Sequence, residues 1–320
     1  MSLWGVFTSY TPLIYIFFLF NILIFYNNYI LYKVSPICDY LSNKKTDIIN
    51  LILRKTEPDK KFMSMFVGFM DGDGYFDIGE QKQYKKKTRL PAKSTIRIRL
   101  ASNVHSRDLS LLKHFIDVLS VGKISEMNNR NQVRIIFFKE DLVKIIIPLI
   151  NKYNLEFLTK ERKYQYKLLK HILDNNIIHW DNVNLDKIDT DLNISYFNYY
   201  VNLDFIQDWI VGFTIAEGSF IIKNNGSASF QIRQTGIEAY EIIKAICIII
   251  AKKNVNIIKP DNSNSYQLTL TSRKDLQNVI NFFSSPLNIE LKGYKLIQYK
   301  NWLKKIIKLK RYQELNIPDY

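Results

Sequence analysis

Two acidic residues stand at matching places in two copies of one pattern. Phe66 to Phe76 reads FVGFMDGDGYF and Ile210 to Phe220 reads IVGFTIAEGSF. Val, Gly and Phe recur at the second to fourth places, an acid followed by Gly at the eighth and ninth, and Phe at the eleventh, which sets Asp73 opposite Glu217. Phe62, Phe66, Phe69 and Met70 make an apolar face at helical spacing, while Gly68 and Gly72 remove side chains along one line that Gly212 and Ala216 continue in the second copy. Small residues four apart let two helix backbones approach closely. Gly inside a helix costs about 1 kcal/mol relative to Ala, so its recurrence at matching places needs a packing reason. Two such helices paired across a pseudo-twofold axis bring Asp73 and Glu217 side by side at helix C-termini, where the helix potential is negative and like charges repel. Bound cations remove that penalty. Carboxylate oxygens, backbone carbonyls and water are the ligands that Mg²⁺ prefers, and metal held there can activate water and stabilise the leaving oxygen of a phosphodiester.

Nothing else in the chain competes for the chemistry. Cys38 and Cys247 are far apart and in no ligand spacing, which argues against a disulfide framework and a zinc site. His105, His114, His171 and His179 are scattered, and Gly72-Asp73-Gly74 lacks the GxxxxGK[ST] frame of a phosphate-binding loop.

The elements that must position the acids also repeat. After the first motif Thr95, Arg97 and Arg99 alternate with Ile96, Ile98 and Leu100; after the second, Ser229, Gln231 and Arg233 alternate with Phe230 and Ile232, the pattern of strands with one buried face. Helices are expected over Leu109 to Leu119 and Ala239 to Ala251, then strands over Val133 to Phe138 and Tyr266 to Leu270, then helices from near Lys139 and Ser272. Both copies close with Gln-Tyr-Lys on a basic helix, at Gln165–Lys167 and Gln298–Lys300. The fold class is α+β, two pseudo-symmetric αββαββα halves. The expected division is residues 1–55 as an apolar leader and linker, 56–175 as the first half, 176–200 as a polar linker and 201–320 as the second half.

Forty-five Lys+Arg against 30 Asp+Glu leave a formal charge of +15 on 320 residues, which attracts polyanions. Nucleic acid is the default partner and an anionic membrane surface the second; a basic surface that serves only solubility is the alternative. The lettering is rich in Ile, Asn, Lys, Tyr and Phe, as in AT-rich genomes such as those of organelles and some bacteria. No charged residue precedes Lys33, and Leu13 to Tyr32 (residues 13–32) has the length of a bilayer-spanning helix. If it spans, Lys33, Lys44 and Lys45 hold the following chain on the matrix or cytoplasmic side. An upstream translated extension removed by processing is the other reading.

With both motifs quoted, the chain from about Lys61 onward resembles the LAGLIDADG homing endonuclease family, whose two defining nine-residue motifs correspond to FVGFMDGDG and IVGFTIAEG. The ending YKLIQYKNWLKK…RYQELNIPDY is similar to that of two-motif enzymes of fungal cytochrome b introns, some of which double as RNA maturases. The resemblance implies a monomer with Asp73 and Glu217 as metal ligands for Mg²⁺ or Mn²⁺, the carbonyls of Gly72 and Ala216 beside them, and a basic residue from each half near the scissile phosphates. Lys295 fits that place in the second half, and the Gln-Tyr-Lys anchor sets Arg162 opposite it, where relatives more often carry Lys. Asp71 at the sixth place faces Ile215 in the second motif, so the sixth place is not a required ligand.

The family also implies two sheets forming a saddle on the major groove of double-stranded DNA. The alternation then puts Arg97, Arg99, Gln231 and Arg233 on the groove face, Arg suited to guanine edges and Gln to adenine. Lys85, Lys86, Lys87 and Arg89 fall on the preceding strand or its loop, where they neutralise phosphates. The expected function is a mitochondrial intron-encoded, site-specific DNA endonuclease that also promotes splicing of its own intron RNA, located in the matrix or at the inner membrane. A maturase without cleavage and a non-cleaving DNA-binding regulator are the competing readings; the retention of both acids favours cleavage.

Overall fold

The fold is built around two helices that touch backbone to backbone. The computed structural model describes residues 57–84, 91–127, 131–188, 196–236, 238–253 and 265–318. Helix α1 (Lys60–Gly72) begins where Asp59 accepts a hydrogen bond from Phe62 N at 2.8 Å, a side-chain N-cap. It ends at Asp73, and the chain turns at once into strand β1 (Gly74–Tyr84). The second motif forms helix α7 (Ile206–Glu217) and passes directly into β5 (Gly218–Ile222). A Cβ placed on Gly68 would lie 2.1 Å from the Trp209 carbonyl oxygen, and one on Gly212 would lie 1.9 Å from that of Met65. Residues 65 and 209 stand at matching places immediately before their motifs, so the contact is reciprocal. Lower down the pair, a Cβ on Gly72 would meet the Ala216 methyl at 2.4 Å. The small-residue line is therefore a steric requirement of the contact itself.

Each helix starts one half. In the first, β1 pairs antiparallel with β2 (Pro91–His105), followed by α2 (Leu109–Leu119), β3 (Lys123–Met127) and β4 (Gln132–Phe138), giving a four-stranded sheet in the order β1-β2-β4-β3. A helical stretch follows, α3 (Lys139–Asp141) running through a π-helical segment (Leu142–Ile146) into α4 (Ile147–Lys152), and then the basic helix α5 (Lys160–Asp174). A short helix, α6 (Phe197–Val201), leads into α7. The second half continues from β5 to β6 (Ala228–Thr235), α8 (Ala239–Ala251), β7 (Ser265–Leu270), α9 (Arg273–Phe283) and the basic helix α10 (Gly293–Ile306). Its described strands form one sheet, β5-β6-β7. The bounds expected for α2 and α8 agree with those observed. The last helix of αββαββα is filled in each half by successive helices, the basic one coming last.

The buried sheet faces and the motif helices share one core. Phe115 of α2 packs against Phe66 and Phe69 of α1 with ring centroids 5.4 and 5.1 Å apart, and Phe66 meets Phe137 of β4 at 5.6 Å. In the second half Phe220 lies 5.2 Å from Phe230 and 4.9 Å from Tyr299 of α10. Each such side chain removed from water contributes roughly 1.5–3 kcal/mol. Ser229, expected on the open face of β6, is itself buried.

Asp71 is the polar exception in this core. It is buried, and its carboxylate accepts from Leu158 N (2.8 Å), Thr159 N (3.1 Å), Thr159 Oγ1 (2.7 Å) and Trp209 Nε1 (2.8 Å). The sixth motif place thus ties α1 to the start of α5 and to α7, which leaves it no coordination role; Ile215 at the same place in α7 is plainly apolar core. Burial pushes the Asp71 carboxyl up to about 6, against the lowering effect of its donors.

The expected leader and its apolar segment at 13–32 lie outside the described residues; among those described, no helix is long and apolar enough to cross a membrane. Two stability predictions follow from the packing. Gly68→Ala or Gly212→Ala drives a methyl into backbone, which has no rotamer to yield, and is expected to cost about 3 kcal/mol or more, measured by denaturant unfolding of residues 58–320. Asp71→Ala leaves Leu158 N, Thr159 N and Trp209 Nε1 buried without their acceptor, and is expected to cost roughly 3–5 kcal/mol in the same measurement; a loss below about 1 kcal/mol would refute the anchoring role.

Candidate active site and nucleic-acid face

The two motif acids emerge where α1 and α7 end. Glu217 Cγ lies 3.3 Å, and Oε1 3.6 Å, from where a Cβ would stand on Gly72, so the second acid rests against the last turn of the first helix. Burial pushes the Asp73 carboxyl up to about 6; the Lys295 ammonium opposes this and Asp108 adds to it. Burial, and then the charge of Asp73, push Glu217 up to about 7, again opposed by Lys295. The effect of Asp73 on Glu217 is that of one carboxylate on another close by.

Lys295 comes from the first turn of α10. Its Nζ donates to the carbonyl of Gly218, the residue after Glu217. Burial lowers its pKa, Asp108, Asp73 and Glu217 act to raise it, and Arg107 adds to the lowering. Arg162, the corresponding residue of α5, donates to Gln165 Oε1 at 2.7 Å and pairs with Glu161 at 3.3 Å, and its side chain is 11% exposed. Gln165 Oε1 also accepts from Phe76 N at 3.0 Å, which fastens α5 to the start of β1. Gly72, Arg162, Tyr164, Glu217, Arg233 and Glu238 line one open cleft, so Arg162 and Glu217 share a cavity. The structure thus brings Asp73, Glu217 and Lys295 within electrostatic reach of one another, with Ala216 packed on the Gly72 end of α1, while Arg162 joins Glu217 and Gly72 along the cleft.

Among the described residues there is no cluster of three or more His, Cys, Asp or Glu side chains able to hold a metal. A cation at Asp73 and Glu217 would draw its remaining ligands from carbonyls, water and substrate phosphate. Such a donor set suits Mg²⁺, which commonly takes one or two carboxylates and keeps water and phosphate oxygens. The acid pair, both members pushed toward neutrality by burial and Glu217 also by the charge of Asp73, fits a divalent ion that restores the charged form.

The sheet faces turned away from the core carry the predicted base-reading residues, with one qualification. Arg97 is on the open face of β2, but Asp77 of β1 holds it, Nε lying 3.0 and 2.9 Å from the two carboxylate oxygens and Nη2 2.9 Å from Oδ1. Arg99 sits over the ring of Phe138, its register partner on β4, 5.7 Å from the centroid. On β6, Gln231 is half-buried and Arg233 exposed, Arg233 donating through Nε to Ser265 Oγ. Lys85, Lys86, Lys87 and Arg89 lie outside the described residues. Sequence reading missed Asp77 and a polar group on the same face, in which Arg134 Nη2 donates to the Tyr75 hydroxyl at 2.6 Å and Asn103 Nδ2 approaches it at 3.4 Å. The alternation of Val133, Ile135 and Phe137 with Arg134 in β4 was the available signal for Arg134.

Comparison with known proteins agrees with this architecture. The sequence profile of the LAGLIDADG endonuclease family matches residues 66–173 and 210–306, one match per half. A probable intron-encoded endonuclease of Kluyveromyces lactis, aI3, is 27% identical over 289 residues, covering 78% of this chain and 67% of that protein. A probable intron-encoded endonuclease of Schizosaccharomyces pombe, Cox1-I1b, is 26% identical, covering 81% and 68%. Among solved structures, I-SmaMI bound to an uncleaved DNA target in the presence of calcium ions superposes with a TM-score of 0.59 at 23% identity, covering 77% of this chain and 90% of that one. The I-LtrWI homing endonuclease bound to target DNA gives 0.58 at 19%, covering 78% and 91%. Twin glycine-packed helices, each ending in an acid and each opening a half of the same order, together with a profile match to both halves, place this chain in the LAGLIDADG family of DNA endonucleases.

Proposed function

We propose that this chain cuts double-stranded DNA at a specific site, as a monomer whose two halves each serve one strand. The observation that carries the reading is that Glu217 rests against the end of α1 within reach of the Asp73 charge, with Lys295 acting on both acids and Arg162 in the same cleft as Glu217. Asp73, Glu217 and the carbonyls of Gly72 and Ala216 would hold divalent cations, Mg²⁺ or Mn²⁺. When bound, these ions supply an activated water and charge neutralisation for the phosphodiester. Lys295 and Arg162 place positive charge where negative charge grows on the phosphate in the transition state. The planar guanidinium of Arg162 suits an electrostatic part, whereas burial of Lys295 makes its proton easier to release. Arg99, Gln231, Arg233 and Arg134 face the grooves, with Arg97 held by Asp77 in a fixed fork. The segments carrying Lys85, Lys87 and Arg89 would neutralise phosphates, and the net charge of +15 draws the duplex in.

Asp73→Asn or Glu217→Gln is expected to lower the single-turnover cleavage rate about 10³-fold or more, while target affinity in a gel-shift assay stays within a few-fold. The intronless form of the host gene is the expected substrate, cut in Mg²⁺ and uncut in excess chelator. Full-rate cutting by the doubly substituted chain would refute the site.

The intron names of its relatives and the AT-rich lettering support a mitochondrial intron origin, and a second activity on the intron RNA fits a surface outside the cleavage site. Tyr196 is 75% exposed, Tyr199 and Tyr240 are also open to solvent, and Lys244 Nζ lies 3.9 Å above the Phe197 ring. Exposed aromatics interleaved with lysine suit unpaired bases, which stack on such rings. Residues 13–32 would place the protein at the inner membrane. The splicing rate of the host intron transcript is expected to rise with added protein and to fall back when Tyr196 and Tyr199 are both changed to Ala; equal rates with and without protein would dismiss this activity.

A further inference from the structure

The beginnings of the two basic helices are capped by the opposite halves. Asp108 and Glu238 each stand immediately before a helix, α2 and α8, where an acid ordinarily accepts from the first turn of its own helix. Neither does so. Asp108 Oδ1 accepts from Tyr294 N of α10 at 2.9 Å, and Glu238 Oε1 accepts from Lys160 N of α5 at 3.1 Å. The receiving helices have no cap of their own: Thr159 and Lys292 make no side-chain cap bond, Thr159 because its hydroxyl goes to Asp71. The backbone is shaped to these contacts. Gly293, at φ +62°, would carry a Cβ 3.0 Å from Asp108 Oδ1, and Gly236, at φ +126°, one 3.0 Å from Glu238 Oε1. Arg107 adds to the first bracket by lying over the Tyr294 ring, 4.1 Å from its centroid.

We infer that Asp108 and Glu238 are positioning residues, each setting the basic residue of the opposite half: Asp108 fixes Lys295 one residue beyond the capped amide, and Glu238 fixes Arg162 two residues beyond it. The inference rests on the proposed reading that Lys295 and Arg162 each serve one scissile phosphate. A charged acceptor on the first amides of a helix fixes both the position and the axis of its first turn. The reciprocal arrangement makes each half's cleavage geometry dependent on correct docking of the other, so that isolated or misdocked halves lack aligned bases.

The test is strand-resolved, single-turnover cleavage of a duplex with a different label on each strand. Lys295→Ala and Arg162→Ala first identify the strand that each serves. Asp108→Ala is then expected to slow the Lys295 strand by about 10-fold to 100-fold and the other by less than threefold, with Glu238→Ala giving the opposite pattern. Asp108→Asn and Glu238→Gln, which keep an acceptor oxygen, should recover most of the rate. Amide exchange should quicken at Tyr294 in one Ala variant and at Lys160 in the other. A merely structural role would lower stability and slow both strands alike, and that result, or unchanged strand rates with the predicted amide exchange, overturns the inference while leaving the metal site standing. If Lys295→Ala and Arg162→Ala fail to separate by strand, the assignment of the bases fails and this inference with it.

Discussion

The whole arrangement depends on a backbone contact that admits no side chain. Where α1 crosses α7, the carbonyls of Trp209 and Met65 occupy the space in which Gly68 and Gly212 would otherwise carry a Cβ. The contact works as a pivot. Because it is reciprocal, it aligns the two helices in register, and because each helix ends in an acid, register alone decides that the acids meet. The surrounding aromatic core supplies most of the apolar stabilisation, but it is non-directional and would tolerate a helix shifted by a fraction of a turn. Close contact between two backbones would not. Asp71 supplies the direction that packing lacks, joining the end of α1 to Trp209 on the facing helix and to the two residues ahead of α5 through charge-assisted hydrogen bonds.

The site that results is electrostatically uncomfortable by construction. Two carboxylates leave water together at the negative ends of two helices, and both are pushed toward neutrality, Glu217 partly by Asp73 itself. Lys295 offsets part of this, but it is held by a carbonyl and is itself weakened as a cation by burial. The protein thus carries a repulsion that an oxygen-seeking divalent ion relieves, a general route by which an active site favours its cofactor. On the other side, Arg162 is paired with the solvent-exposed Glu161 and oriented by Gln165. The two halves are therefore similar in plan and different in chemistry, as expected once a duplicated unit is free to diverge at single positions.

What could be read in advance was whatever leaves a local or periodic trace. The motif glycines, the alternation in β2, β4 and β6 and the helices Leu109–Leu119 and Ala239–Ala251 are of that kind, since a period of two or of 3.6 is a property of neighbouring residues. Pairing Arg162 with Lys295 through the Gln-Tyr-Lys triplets also needed only the repeat. The partners of Asp71 were not visible: Ile215 at the matching place argues against a required ligand there, but only the fold shows Trp209, Leu158 and Thr159 enclosing the carboxylate. Alternation placed Arg97 on the correct face but could not show that Asp77, on the same face of the neighbouring strand, already holds its guanidinium. Contacts between residues far apart in the chain leave no periodic mark, and that is where sequence reading ended.

The caps on α5 and α10 are the sharpest instance, because there local reasoning points the wrong way. Asp108 and Glu238 sit where an acid conventionally serves its own helix, and only the fold shows that each instead serves a helix of the other half. On the proposed reading, in which each half serves one strand, dependence on docking would keep either half from acting on DNA before the other had engaged the target. Motif helices in backbone contact make the acid pair a joint property of both halves, and the crossed caps would do the same for Lys295 and Arg162. Acids and basic residues alike would then be complete only when the halves are docked, and the geometry that holds the protein together would also be the geometry that lets it cut.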